Sequence, residues 1–300
     1  MKRINIWSAL LIILFLSACS EEIITDIATE EQPIVPVSLN VQIDNRNENF
    51  IRVGGDNKIP AGYQLRYIVE IYTTMDKLIT REVRIGSTSY DIPFSFDNVR
   101  LPINDQYVAV CWADLIPAGA NKANLYYNAD KLTAIHQNLT GCTNPDLLDA
   151  YAGKLVFEID DKGVQSEVAL TLKRPLVQIL LENLRLKDAV AESYYMNYRT
   201  EVLTTYNAFT QKVVTAVSDK TTRNAGVKSY EVTPQNDFTL KDYVFMDDVA
   251  RQLSFVITGD NGKDYSKANL SLYVPLTKPN VQLKLKGESD YLQLEEVSQP

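Results

Sequence analysis

The feature that most constrains this chain is a strict two-residue alternation. Val35, Val37, Leu39, Val41 and Ile43 are apolar, and Pro36, Ser38, Asn40 and Gln42 fall between them. Successive side chains of a strand point to opposite faces, so this period predicts a strand with one buried face. The pattern returns at Leu65, Tyr67, Val69 and Ile71, at Tyr90, Ile92, Phe94 and Phe96, and at Val168, Leu170 and Leu172. Gly54-Gly55, Pro60-Ala61-Gly62 and Asp160-Asp161-Lys162-Gly163 supply turn chemistry between such stretches.

Tyr107 to Ala113 is a different signal, an unbroken apolar run that predicts a central strand covered on both faces. Helical signals are few. Asn144-Pro145-Asp146-Leu147-Leu148-Asp149 offers an N-cap, a first-turn proline and acids near the positive helix end. After Arg174-Pro175 the strand pattern starts afresh with Leu176–Leu181, Lys212–Val217, Lys228–Val232, Leu253–Ile257, Leu270–Val274 and Val281–Leu285. Gly259-Asp260-Asn261-Gly262 reads as a hairpin turn between two of these. At 300 residues the chain is long enough for two domains, and two series of short strands predict an all-β pair of sandwiches or barrels divided near residue 174. No tandem repeat is visible, so any kinship between the halves would be architectural.

The N-terminus carries an address. Lys2 and Arg3 precede an apolar stretch from Ile4 to Leu16, which is shorter than the roughly 20 residues of a membrane-spanning helix. Leu16-Ser17-Ala18-Cys19 then resembles the bacterial lipobox. That resemblance implies cleavage between Ala18 and Cys19, a diacylglycerol on the Cys19 sulfur and acylation of the new amine. Three chains exceed the two signals that stable anchoring requires. Ser20-Glu21-Glu22 resembles the surface-export signal of Bacteroidetes lipoproteins, and that resemblance implies a location at the outer membrane, exposed on the cell surface. The predicted organisation is a signal peptide over 1–18, a lipidated tether over 19–36, and sandwiches over 37–174 and 175–300.

Composition narrows the function. The formal charge is −8, and loss of Lys2 and Arg3 leaves 28 basic against 38 acidic residues, about −10. Such a chain is repelled by nucleic acid. His136 is the only histidine, no Gly-x-Ser-x-Gly elbow or phosphate-binding Gly-x-x-x-x-Gly-Lys loop occurs, and zinc sites usually want several His or Cys ligands. His136 therefore reads as a surface loop residue. The carboxylate pairs Asp160/Asp161, Asp247/Asp248 and Glu295/Glu296 are adjacent, so on a strand their members face opposite ways and do not share a cleft. Asp260, Asn261 and Asp264 lack EF-hand spacing. The inventory predicts no enzyme, no metal and no cofactor.

The motifs together resemble one family. Leu65–Tyr72, Val110-Cys111-Trp112-Ala113-Asp114, Leu125-Tyr126-Tyr127-Asn128 and Asp149-Ala150-Tyr151-Ala152-Gly153 lie in the first half. Lys173-Arg174-Pro175-Leu176, Tyr206–Thr210, Asp242-Tyr243-Val244-Phe245 and Val274-Pro275-Leu276 lie in the second. With the lipobox, their order is similar to that of the fimbrillin-type lipoproteins of Bacteroidales, which include FimA-like and Mfa-like fimbrial subunits. The resemblance implies two tandem transthyretin-like Greek-key β-sandwiches, other fimbrillin-like subunits as partners, and assembly by a donated strand that augments an open sheet edge. It also implies removal of the first strand by a protease cutting after Arg or Lys. Arg46 and Arg52 stand where such a cut would fall, the plain alternative being solvated loop residues. Ser289–Pro300 reads equally as a donor strand or a tail.

Two readings stay open. Cys111 and Cys142, 31 residues apart, either form a disulfide in an oxidising compartment or remain two thiols. The 17 Tyr suit half-buried strands, but exposed rings also stack on sugars and anchor interfaces. Trp112, Tyr126, Tyr127, Tyr194 and Tyr195 are the rings that would serve the alternative function, a surface glycan-binding accessory lipoprotein, and a host or bacterial surface protein or glycan is a further partner such rings could touch.

Overall fold

The computed structural model describes residues 33–44, 59–86, 89–103, 105–120, 124–138, 145–160, 168–184, 193–198, 202–214, 229–231, 238–249, 251–259, 270–274 and 282–286. The first half contributes β1 (Ile34–Ile43), β2 (Tyr63–Thr73), β3 (Leu78–Ile85), β4 (Phe94–Pro102), β5 (Asp105–Pro117), β6 (Tyr127–Asn128), β7 (Ile135–Gln137), β8 (Ala150–Ile159) and β9 (Val168–Leu172). The second contributes β10 (Leu176–Leu184), β11 (Ser193–Tyr198), β12 (Thr205–Asn207), β13 (Lys212–Val214), β14 (Ser229–Glu231), β15 (Phe238–Phe245), β16 (Arg251–Gly259), β17 (Leu270–Val274) and β18 (Gln282–Lys286). Among the described residues the one helical element is a 3-10 turn at Pro145–Leu148, where the sequence placed its N-capped stretch. The chain is all-β.

One arrangement occurs twice. In the first half a three-stranded sheet runs β4-β1-β9 and a four-stranded sheet runs β3-β2-β5-β8. In the second half the corresponding orders are β15-β10-β18 and β14-β11-β16-β17. The senses match as well: β1 is antiparallel to β4 and parallel to β9, and β10 is antiparallel to β15 and parallel to β18. The kinship of the halves is thus one of strand order, as the absence of a visible repeat led us to expect. Insertions conceal it. β6 and β7 interrupt the first copy between β5 and β8, and β12 and β13 interrupt the second between β11 and β14.

These insertions join each other in a further sheet, β13-β12-β7-β6, with Tyr206 opposite Ile135 and Thr205 opposite His136. Hydrogen bonding therefore crosses the division at residue 174. This third layer explains a departure from the sequence pattern. Leu65, Tyr67, Val69 and Ile71 are buried as predicted, but so are Arg66, Ile68, Glu70 and Tyr72 on the other face of β2. The inner face packs on the three-stranded sheet, where Tyr67 stacks on Phe94 with ring centroids 4.7 Å apart. The outer face lies under residues 124–138 and 205–214. β5 is buried on both faces, as its continuous apolar run implied.

Close approach and turn geometry place two glycines. Gly62 has φ 82° in the turn that begins at Pro60, whose carbonyl accepts the Tyr63 amide at 3.1 Å. A Cβ on Gly153 of β8 would lie 2.6 Å from the Thr171 carbonyl oxygen of β9, so only glycine lets the two strands meet there.

Two boundaries differ from the expectation. β1 begins at Ile34, inside the stretch assigned to the tether. β4 begins at Phe94: Tyr90 is buried from a turn beside Tyr151, and Ile92 is 55% exposed. Pro93 follows Ile92 and withholds an amide from any ladder, so the alternation of apolar residues there did not extend the strand. β16 and β17 are antiparallel partners as the Asn-Gly signal required, from Arg251 opposite Val274 to Phe255 opposite Leu270. The turn itself lies outside the described residues.

Candidate functional site

Two regions compete for a functional role, the first strand and the junction between the halves. β1 is the middle strand of its sheet. Its register against β4 runs from Ile34 opposite Pro102 to Val41 opposite Phe94, with an irregularity between Val37 and Leu39. Against β9 it runs parallel, from Leu39 beside Val168 to Ile43 beside Leu172. Val37, Leu39 and Val41 are at most 1% exposed, whereas Gln42 faces solvent and reaches Thr171 Oγ1 at 3.1 Å. The ends are tied by backbone bonds, Ile103 N–H to the Pro33 carbonyl at 2.9 Å and Asp44 N–H to the Leu172 carbonyl at 2.8 Å. β1 thus combines a one-sided aliphatic comb with strand pairing on both edges, along most of its length against β4 and over Leu39–Ile43 against β9. Taking it away would leave two unpaired strand edges flanking an apolar slot, the arrangement that accepts an added strand. Arg46 and Arg52, the predicted cleavage positions, lie outside the described residues, as do Ala18 and Cys19.

The junction is built from the same motifs that carry the family resemblance. Trp112 of β5 packs edge-on against Tyr127 at 5.1 Å, and both meet Phe245 of β15, at 6.2 and 5.7 Å. Tyr206 stacks on Phe245 at 5.4 Å. Beside this aromatic knot, Arg66 holds Asp114 through two bonds of 2.8 and 2.6 Å and donates to Asn124 Oδ1 at 2.8 Å. Glu70 accepts from Tyr72, Arg81 and the Leu132 amide, and Arg81 also donates to the Ala129 carbonyl at 2.5 Å. Residues 124–138 are thereby pinned over the outer face of the four-stranded sheet.

On the other side of the knot, Arg174 is 1% exposed and donates to both Asp149 oxygens, at 2.6 and 3.0 Å, and to the Tyr151 hydroxyl at 2.6 Å. Its charge is compensated by Asp149, while burial acts in the opposite sense on the guanidinium. Lys241 of β15 donates to Asp146 Oδ1 at 2.5 Å, and Gln178 Nε2 donates to the Tyr243 hydroxyl at 2.6 Å. Gln137 of β7 donates through Nε2 to the Tyr243 carbonyl at 3.0 Å. The Arg-Pro step of the resemblance is therefore a buried clasp between the end of the first half and the residues that follow its 3-10 turn.

These positions correct the aromatic-platform expectation. Trp112 and Tyr127 are fully buried and Tyr126 is 7% exposed, so none of the three presents a face to a glycan. Tyr194 and Tyr195 lie on β11, paired with Tyr230 and Ser229; their side chains lie outside the described residues. Cys111 carries a free, fully buried thiol pointing to the inner core, and burial pushes that thiol well above the ordinary thiol range. Cys142 lies outside the described residues. His136 is exposed as expected but sits in β7, not in a loop, with Nδ1 2.8 Å from Thr205 Oγ1.

Asp247 is buried and accepts the amides of Val213 and Val249 at 3.1 Å each, whereas Asp248 is exposed, so this pair shares no cleft. Asp161, Glu295, Glu296, Asp260, Asn261 and Asp264 lie outside the described residues. Among the described residues no group of three or more His, Cys, Asp or Glu side chains could hold a metal ion. What sequence reasoning missed is the role of Asp149, Arg174, Asp146 and Lys241. The only sequence signal available was their presence in or next to the resemblance motifs.

The fold and this geometry define an all-β protein of duplicated strand order, with an aromatic cluster joining its halves and its first described strand in the middle of a sheet. The chain belongs to the family of unknown function DUF6562, whose profile matches residues 29–285. Among solved structures it aligns with a fimbrial assembly protein from Parabacteroides distasonis at 11% identity and a TM-score of 0.45, over 85% of this chain and 92% of that one. It also aligns with the fimbrial anchor protein Mfa2 from Porphyromonas gingivalis at 13% identity and a TM-score of 0.45, over 84% of this chain and 91% of that one. No curated protein matches it.

Proposed function

We propose that this chain is a lipid-anchored, cell-surface protein of the fimbrillin type, a structural or adhesive subunit or accessory of fimbriae. Acyl chains on Cys19 hold it in the outer membrane, and it acts through protein–protein contacts instead of catalysis. Its partners are other fimbrillin-like subunits, joined when a neighbour's strand enters the slot that β1 occupies before processing after Arg46 or Arg52. The observation that carries this reading is the position of β1. It is the first described strand, it is central, and it is held by an aliphatic comb and two backbone ladders that any alternating strand of similar length can reproduce.

The test has two arms. Growth with labelled palmitate should label the wild-type protein and leave Cys19→Ala unlabelled; an unlabelled wild type contradicts the anchor. Limited cleavage of the delipidated protein by a protease specific for Arg should release the first strand and yield oligomers that survive SDS without heating. A cleaved product that stays folded and strictly monomeric contradicts strand exchange.

A further inference from the structure

From the apposition of Lys241 and Asp146 we infer that the two halves are joined by an intramolecular isopeptide bond between these side chains. Lys241 Nζ lies 2.5 Å from Asp146 Oδ1, with the two side chains 8% and 7% exposed. The residues are 95 positions apart, one in the 3-10 turn of the first half and the other in β15 of the second, so the amide would be a covalent bolt across the junction. An ammonium and a carboxylate at such a distance on a surface form an ordinary ion pair. Here both side chains are buried, and a buried pair loses the hydration that holds a surface ion pair in its charged form.

The surroundings favour the acid form of Asp146. Burial pushes its carboxyl above the ordinary carboxylate range and the nearby Asp149 adds to the rise, against the pull of Lys241. Acting the other way, the Tyr243 hydroxyl, kept protonated by its own complete burial, donates to the same carboxyl and itself accepts from Gln178. Arg174 engages both oxygens of Asp149, and the Lys241 amine donates to Asp146.

The reaction balances without a co-reactant. The Nζ lone pair attacks Asp146 Cγ and forms a C–N bond. One carboxyl oxygen leaves as water, breaking its C–O bond and carrying off the acid proton and one proton of the amine. Tyr243, donating to that carboxyl, polarises it and stabilises the charge that develops on oxygen during attack. The product is a neutral amide, which removes two buried charges from the junction.

Intact-mass analysis of the purified full chain decides the matter, because the bond lowers the mass by one water, about 18 Da. The wild type should show this deficit, and digestion should yield one branched peptide joining Lys241 to Asp146. Lys241→Arg keeps the charge without a nucleophilic amine and should restore the full mass, and Tyr243→Phe should slow formation of the bond. If Lys241→Arg fails to fold, the wild-type digest still answers the question. A wild type of full mass, with Lys241 open to amine reagents once denatured, overturns the inference.

Discussion

The junction and the first strand are both buried, yet they are held together in different ways. At the junction, charged and aromatic groups meet in pairs that tolerate few substitutes: Arg66 with Asp114, Arg174 with Asp149 and Tyr151, Trp112 with Tyr127 and Phe245. At β1 the contacts are aliphatic side chains on one face and backbone bonds on both edges. A buried ion pair is specific because either partner alone is left as an unpaired charge in a dry site. A strand in a ladder is generic, because its backbone bonds do not depend on sequence and its comb asks only for apolar residues at every second position. The junction is thus held by contacts specific to their partners, and β1 by contacts that another alternating strand can make.

The contrast predicts a hierarchy of effects. Arg174→Ala leaves the buried Asp149 with the Tyr151 hydroxyl but without its cationic partner, and should destabilise folding by about 3 kcal/mol, read from denaturant unfolding. A double variant that also replaces Asp149 with Asn should recover part of that loss; no recovery would mean that the clasp is not a pair. Leu39→Ala, within the comb, should cost about 3 kcal/mol through the lost burial and the cavity left behind. The two also differ in kind: an added peptide carrying the β1 sequence should rescue the Leu39 variant and leave the Arg174 variant unchanged.

Both regions were partly legible in the sequence. β1 and β5 stood out because a period of two, or an unbroken apolar run, is written in consecutive residues. The start of β4 was misplaced because Tyr90 and Ile92 keep the period while Pro93 breaks the backbone ladder. The second buried face of β2 and the pairing at the junction were not legible. Arg174 and Asp149 are 25 residues apart and Lys241 and Asp146 95 apart, and nothing in local spacing announces which acid meets which base. The duplicated strand order was hidden for a related reason: insertions of different position in each copy shift every later strand. The aromatic rings were read by type alone, and type does not say whether Trp112 faces a sugar or Phe245.

Two smaller effects distinguish a buried group from an exposed one. Because burial raises the Cys111 thiol, it stays protonated through pH 7 to 9. Alkylation of Cys111 in the native protein should therefore not rise over about that range, whereas denaturant should expose it fully. A peptide map that finds rapid native labelling at Cys111 would place it nearer the surface than β5 allows. Gln42→Ala, on the exposed face of β1, should change stability by no more than about 0.5 kcal/mol, since it removes only a solvent-facing contact with Thr171.

The most direct measurement concerns the slot itself. A chain beginning at Asn47 lacks β1, and its size distribution can be followed by light scattering with and without a synthetic peptide spanning Pro33–Asp44. An exchangeable first strand requires the truncated chain to form oligomers alone and to remain monomeric when the peptide is in excess. A truncated chain that is folded and monomeric without the peptide, and that does not bind it, would show that β1 is an ordinary part of the sandwich.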